Sequence, residues 1–445
     1  MASAAEQLAA NMNFSSFAKA KELQQRILFT IGILILYRVG TYVPIPGIDP
    51  GRYAAMFDQN SQGILSMFNV LGGGAVERMA IFALNVMPYI SASIIMQLMS
   101  ATIPTLEKLK KEGGEAGRKQ INQYTRYLTV VLATGQALAI AVGMNSIDPN
   151  TGNALAVNPG LFFLVSTVTT LVGGTMLLLW LGEQITARGI GNGVSLIIFA
   201  GIVAAVPSLI GGAFAAAESG TLSGTVFLGS VALVLAGLTL VVFVERSQRR
   251  LLVQYPKRQQ GNRMMGGESS FLPLKLNTAG VIPPIFASSL LFMPQTLASF
   301  NTQTTGGVLG TLIAYMQVGS LPFLIVYAAM IIFFCFFYTS VVFNPEDTAD
   351  NLRKYGGFLP GIRPGKRTAE YLDYVLSRLT LIGALYLTLI CVVPMVLSPN
   401  TALGGTSILI IVSVTMDTIS QVQSHLLAHQ YEGLIKKSKL RGRKR

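Results

Sequence analysis

The stretch Phe68–Leu98, FNVLGGGAVERMAIFALNVMPYISASIIMQL, decides how the rest of the chain is read. It opens as a short apolar piece, breaks at Gly72-Gly73-Gly74, passes the charged pair Glu77-Arg78 and then runs apolar for about the length of a membrane span. A half-length apolar piece cannot cross a bilayer. Hinged by glycines onto a piece that can, it points to a small movable element beside a pore-lining helix. The same residues also fit a re-entrant loop, or an outer-surface helix with a flexible joint.

Working outward, the apolar theme continues through the whole chain. Its 445 residues are 51% hydrophobic and 12% charged, with mean hydropathy +0.54, well below the roughly 25% charged of a soluble domain. Ten apolar runs are expected to span a membrane: 27–43, 79–103, 128–142, 161–181 and 194–210, then 225–244, 279–297, 322–343, 379–397 and 407–427. The first 26 residues lack the apolar core and small-residue cleavage site of a signal peptide, and read as a cytosolic tail. Cys335 and Cys391 fall inside predicted spans and are expected to be free thiols.

Charge sets the orientation. Of the 33 Lys and Arg, 30 lie in the tails and in alternate connections, whereas 143–160, 207–224, 298–321 and 398–406 carry none. The positive-inside rule therefore puts both termini and the basic connections in the cytoplasm. The three exceptions are Arg38, Arg52 and Arg78. Five spans on each side of an outer hinge at 211–224 give halves 27–210 and 225–428 of opposite topology, the arrangement of an inverted repeat with a pathway at its interface. Two unrelated five-helix bundles would give the same spacing. Two cytosolic connections, 245–277 and 344–378, are longer than neighbouring helices need. Their mixture of charge, turn residues and aromatics suits docking, and a net charge of +13 attracts RNA, acidic proteins and anionic lipid alike. Residues 429–445 form a basic tail.

Catalytic chemistry is missing. Gly361-Ile362-Arg363-Pro364-Gly365-Lys366-Arg367 has the wrong spacing for a phosphate loop and lacks Ser or Thr after its Lys. Gly189-Ile190-Gly191-Asn192-Gly193 follows no strand, and reads as a place where a helix starts close to its neighbours. His425 and His429 share a helix face but are not expected to bind a metal, with no set of Cys, Asp or Glu completing a site around them. No cofactor and no enzymatic activity are expected. Acids within spans reduce to Asp417, with Glu183 at a boundary, which weakens a coupled small-solute transporter, the alternative reading.

Several stretches carry a specific resemblance. Pro44-Ile45-Pro46-Gly47-Ile48-Asp49 follows the first span, and Met87-Pro88-Tyr89-Ile90-Ser91-Ala92-Ser93-Ile94 lies in the second. Trp180-Leu181-Gly182-Glu183-Gln184-Ile185-Thr186 precedes Arg188-Gly189-Ile190-Gly191-Asn192-Gly193. Phe343-Asn344-Pro345, Thr348-Ala349-Asp350-Asn351-Leu352 and Pro360-Gly361-Ile362-Arg363-Pro364-Gly365 share the second long connection, and Gly404-Gly405-Thr406-Ser407 opens the last span. In this order and spacing the chain, from about Arg26 to Gly442, resembles the bacterial SecY family, central subunits of the Sec protein translocase.

The resemblance implies an all-α polytopic fold: ten transmembrane helices in two inverted five-helix halves, a clamshell around an hourglass pore in the bacterial inner membrane. The pore ring would be Val86, Ile90, Val194, Ile198, Ile285 and Ile410. Val86 and Val194 stand where the family often has Ile. A plug at about 64–75, with Ile64, Leu65, Met67 and Phe68, would move on Gly72, Gly73 and Gly74. A lateral gate would open between Ser91 and its neighbours and the stretch Ile285 to Phe292. Arg258, Arg263, Arg363, Pro364, Gly365 and Tyr431 would dock the SecA ATPase or the ribosome, with Asn262 standing where relatives often carry a second Arg. SecE and SecG would be partner subunits, and signal sequences and nascent membrane proteins the clients.

Overall fold

A computed structural model describes residues 20–59, 69–145, 156–219, 224–255, 258–260, 263–265, 269–299, 320–397 and 404–442. Ile64, Leu65, Met67 and Phe68, expected to form the plug, and Asn262 lie outside them. In chain order the helices are α1 (Lys21–Gly40), α2 (Pro50–Gln59), α3 (Met87–Thr102), α4 (Pro104–Glu112), α5 (Gly114–Asn145), α6 (Leu161–Arg188), α7 (Gly193–Glu218) and α8 (Gly224–Arg246). After the short strands β1 (Gln248–Gln254), β2 (Arg258–Gln260), β3 (Arg263–Met265) and β4 (Ser269–Lys275) come α9 (Ile282–Ser299), α10 (Leu321–Val342), α11 (Pro345–Lys354), α12 (Lys366–Leu397) and α13 (Gly405–Gly442).

Among the described residues, seven helices are long and apolar enough to cross a membrane, and the bent pair α3–α4 makes an eighth candidate. The two remaining expected spans correspond to α1, which carries Lys21, Glu22, Arg26 and Arg38, and to α9, an 18-residue helix whose side chains are described only over Ile282–Leu291. The pair α3–α4 bends by 102°. Ile103, which precedes Pro104, takes the extended conformation that a following proline enforces, and Pro104 restarts the helix.

The expected second span, 79–103, is corrected at its start. Residues 79–86 form turns and a bridge, and the helix begins only at Met87. Met79 (φ 43°) and Asn85 (φ 50°) sit in the left-handed region, which a continuous α-helix does not admit. At the other extreme, α7 runs past Gly211-Gly212 to Glu218, carried by the alanines of 213–217.

The chain divides into two compact units. One comprises Met1–Ala92, Thr125–Phe214 and Ile410–Arg445, the other Ser93–Tyr124 and Ala215–Leu409. In the first unit a buried cluster of Ile45, Ile48, Tyr53, Phe57, Met79, Leu84, Met144 and Leu171 ties the turns after α1 to α5 and α6. Burial raises the Tyr53 phenol above its usual pKa. In the second unit Cys335 and Cys391 are buried free thiols, as expected.

The glycine-dense corner between α6 and α7 behaves as its composition predicts. A Cβ on Gly193 would run into the carbonyl of Gly182, and one on Gly189 into Oγ1 of Thr30. Polar side chains satisfy amides that the break between helices leaves without a helical partner: Ile190 N donates to Thr30 Oγ1 (3.1 Å), Gly191 N to Gln421 Oε1 (2.9 Å) and Gly193 N to Thr186 Oγ1 (2.9 Å). The corner thus fastens α1, α6, α7 and α13. Gly193→Val should overpack the α6–α7 contact and cost about 1–3 kcal/mol. A lowered thermal midpoint in detergent is the expected result, and an unchanged midpoint would refute the close packing.

Candidate functional site

The opening stretch builds the first site. After a helical turn at 69–71, Gly73 (φ 65°) and Gly74 (φ 85°) take left-handed conformations that other residues resist. Their neighbours hold them firmly. The Tyr37 hydroxyl of α1 donates to the Gly72 carbonyl at 3.2 Å, and the Arg38 guanidinium donates to the Gly73 carbonyl. On α7, a Cβ added to Gly201 would lie 2.5 Å from the Leu71 carbonyl oxygen, so glycine there lets the segment lie against the helix backbone. Farther along, Ile81 N donates to Val43 O (2.9 Å) and Ile45 N to Met79 O (3.0 Å). Asn69 and Glu77 exchange two hydrogen bonds, 2.9 and 3.1 Å, across the loop.

The three cations that stood outside the basic connections all have local uses. Arg38 and Arg78 flank the Tyr42 ring, with Cζ 5.1 and 4.1 Å from its centroid. Arg52 pairs with Asp49 at 3.3 Å.

This segment delivers the chain to α3. Ile90 N bonds to Val86 O at 3.1 Å, so Val86 and Ile90 stand one turn apart on one face. Val194 lies in the first turn of α7, with Ile198 a turn later. Val86, Ile90, Ile198 and Ile410 are buried, and Val194 is half-buried. These five belong to the first unit, and half-buried Ile285 on α9 to the second. Of the residues expected at a lateral gate, Ser91 is buried on α3, while Phe292 lies on α9 with its side chain outside the described residues.

The transporter residues offer little chemistry. Glu183 on α6 is held by Arg126 of α5 through three contacts of 2.7 to 3.0 Å, an exposed pair worth about 0–1 kcal/mol. Asp417 and His425 are exposed on α13, and among the described residues no cluster of His, Cys, Asp and Glu could hold a metal ion.

The two long basic connections assemble a second site. Strands β1 and β4 pair antiparallel from Gln248↔Lys275 to Gln254↔Ser269, with β2–β3 as a small pair between them in sequence. Gln254 and Phe358 then exchange two backbone bonds of 2.9 Å, linking the hairpin to the second connection. Leu251, Val253, Leu274, Leu359, Leu372, Val375 and Leu379 form a buried core beneath them. Helix α11 is well capped: the Asn344 side chain accepts from Glu346 N (3.0 Å), and acids begin the helix while Arg353 and Lys354 end it.

On this platform Arg363 and Pro364 are exposed. The turn is fixed by Gly365 (φ 108°) and by the Thr368 hydroxyl, which donates to the Arg363 carbonyl at 3.0 Å. Arg258 and Arg263 occupy β2 and β3, and Tyr431 lies on α13, all with side chains outside the described residues. The sequence reading expected docking at these residues but no strand beneath them. It also missed Tyr37, Asn85 and Gly201. Arg38, a lone cation within an apolar run, was the available signal.

Comparison with known proteins agrees with this architecture. The SecY family model matches residues 80–419. Protein translocase subunit SecY of Rickettsia bellii (strain RML369-C) is 53% identical over 97% of this chain and 100% of its own length. A solved protein-conducting channel superposes with TM-score 0.65 at 17% identity, covering 90% of this chain and 92% of that one. Sec61 in the canine ribosome-channel complex from the endoplasmic reticulum gives 0.62 at 16%, with the same coverage. The chain is thus a multi-pass membrane protein with the ten-helix fold of these channels, and it belongs to the SecY family.

Proposed function

We propose that this chain is the pore subunit through which unfolded secretory proteins cross a bacterial cytoplasmic membrane, and from which apolar segments leave sideways into lipid. Its near full-length identity to protein translocase subunits carries this reading. The site chemistry is in keeping with it: apolar side chains at the helix starts of α3 and α7, and charge gathered on a separate folded platform. A coupled small-solute transporter has less support, since Glu183 is tied to Arg126 and Asp417 is exposed.

Val86, Ile90, Val194, Ile198, Ile285 and Ile410 would form the collar. A narrow apolar collar holds water poorly and stops ions through the cost of dehydrating them, yet yields around a passing chain of any sequence. Residues 64–75 would be the plug, joined through Gly72, Gly73 and Gly74. Opening near Ser91 and Phe292 would release a hydrophobic helix, favoured by about 0.3–0.6 kcal/mol for each central Leu. Sorting by hydrophobicity follows without any specific binding site.

Two five-helix halves, 27–210 and 225–428, would hinge at 211–224 as a clamshell, with both termini cytoplasmic. The pore itself performs no chemistry. Energy would come from the SecA ATPase or the translating ribosome, docked through Arg363, Pro364 and Gly365, through Arg258 and Arg263, and through Tyr431 in the tail. SecE and SecG would complete the complex, with anionic lipid around its basic face. The canine Sec61 neighbour, a channel in a ribosome complex, supports the ribosomal arm.

Reconstitution with SecE, SecG and SecA should give ATP-dependent uptake of a secretory precursor into vesicles, and failure of the folded complex to do so would sink the reading. Arg363→Glu should reduce SecA-driven uptake severalfold while leaving assembly with SecE intact; full uptake would remove Arg363 from docking. Ile90→Gly should widen the collar and raise resting ion conductance in planar bilayers, whereas wild-type conductance would argue against a collar at this position.

A further inference from the structure

Asn85 stands apart within the segment that leads into α3. It is a non-glycine residue in the left-handed region (φ 50°), one of two such among the described residues. Asn tolerates that conformation better than most side chains, but the position is still not one a chain adopts without cause. The residue is 5% exposed. Its Nδ2 donates to the carbonyl of Leu71 at 2.8 Å, back across the whole turn region. Its Oδ1 is buried and meets no hydrogen-bond partner among the described residues.

The two ends of that bond differ in what holds them. Leu71 immediately precedes Gly72 and Gly73, whose carbonyls are gripped by Tyr37 and Arg38 of α1, and it lies against Gly201 of α7. Asn85 immediately precedes Val86 and sits two residues before the start of α3. The side-chain amide therefore ties the mouth of α3 to a segment that α1 and α7 keep in place. Moving α3 along or away from its axis either breaks this bond or drags Leu71 from its seat. The bond is also poorly insured, because half of the amide is satisfied and half is not. A buried acceptor without a partner offsets much of what the donor gains, so the contact holds its geometry without holding it strongly.

We propose that Asn85 is a positioning residue for channel closure: its amide couples displacement of α3 to release of the glycine segment, and so sets how readily the channel leaves its closed state. The proposal rests on the pore reading above. The left-handed turn presents the amide to Leu71, and the empty side of the amide makes the latch reversible.

The test measures resting ion conductance of the complex, reconstituted with its small partner subunits in planar bilayers without a driving ATPase. Asn85→Gly keeps the left-handed backbone and deletes the amide. Asn85→Asp keeps the shape but turns a carboxylate oxygen toward the Leu71 carbonyl, replacing attraction with repulsion. Loss of one such bond should raise the conducting fraction by roughly two- to tenfold in Asn85→Gly, and Asn85→Asp should exceed it. Ile90→Gly serves as the reference opening. If Ile90→Gly conducts and both Asn85 variants remain closed like wild type, the latch is refuted and the pore reading stands. If Ile90→Gly does not conduct either, the collar reading fails and the latch fails with it. Should Asn85→Asp not fold, Asn85→Gly decides alone. A lowered unfolding midpoint in Asn85→Gly with unchanged conductance would mark Asn85 as merely structural and overturn the proposal.

Discussion

In a hydrocarbon environment each backbone amide and carbonyl has to find its partner within the protein, and most of this chain meets that demand by being helical. The segment 72–86 does not. It carries turns and left-handed residues that close only some of its backbone bonds internally, as Ala80 N does on Ala75 O, and other polar groups are met from outside: by Tyr37 and Arg38 at the glycine carbonyls, by Val43 at Ile81 and by Ile45 at Met79. Gly201 supplies room for the backbone to come that close. Where α3 begins, and hence where Val86 and Ile90 stand, depends on this set of borrowed partners.

The same dependence explains which parts of the molecule could be read in advance. Apolar runs announce helices through composition alone, and long polar connections announce themselves through charge. The resemblance of short stretches such as the one around Met87-Pro88-Tyr89 adds the family and candidate site residues. The late start of α3 was hidden, because Met79, Asn85 and their neighbours are as apolar or as small as helix interiors tolerate. Only the tertiary contacts with α1 and α7 reveal that their backbones turn the other way. The strands were hidden for a related reason. Leu251 and Val253 alternate over too few residues to stand out, and their partners Leu359 and Leu372 arrive some hundred positions later. The glycine corner at 189–193 was legible, since such a density of glycine has few uses other than close approach.

Exceptions to a statistical rule proved informative in this chain. Arg38, Arg52 and Arg78 depart from the charge asymmetry of the connections, and each is committed to a nearby group: a glycine carbonyl, an aspartate or an aromatic face. Such cations serve local bonding and carry little information about orientation. Counting them as topological signals would dilute a pattern that the other basic residues follow closely.

The bridge between Gln254 and Phe358 also has a mechanical meaning. Its two backbone bonds run side by side and stitch the hairpin β1–β4 to the segment that carries Arg363. A load applied at the Arg363 turn is then shared with strand β1, and through β1 with the end of α8 that leads into it. Two separate loops would take up such a load as slack. Stitched together over a common apolar core, they resist bending as one body, so that a force on either tip reaches the roots of both.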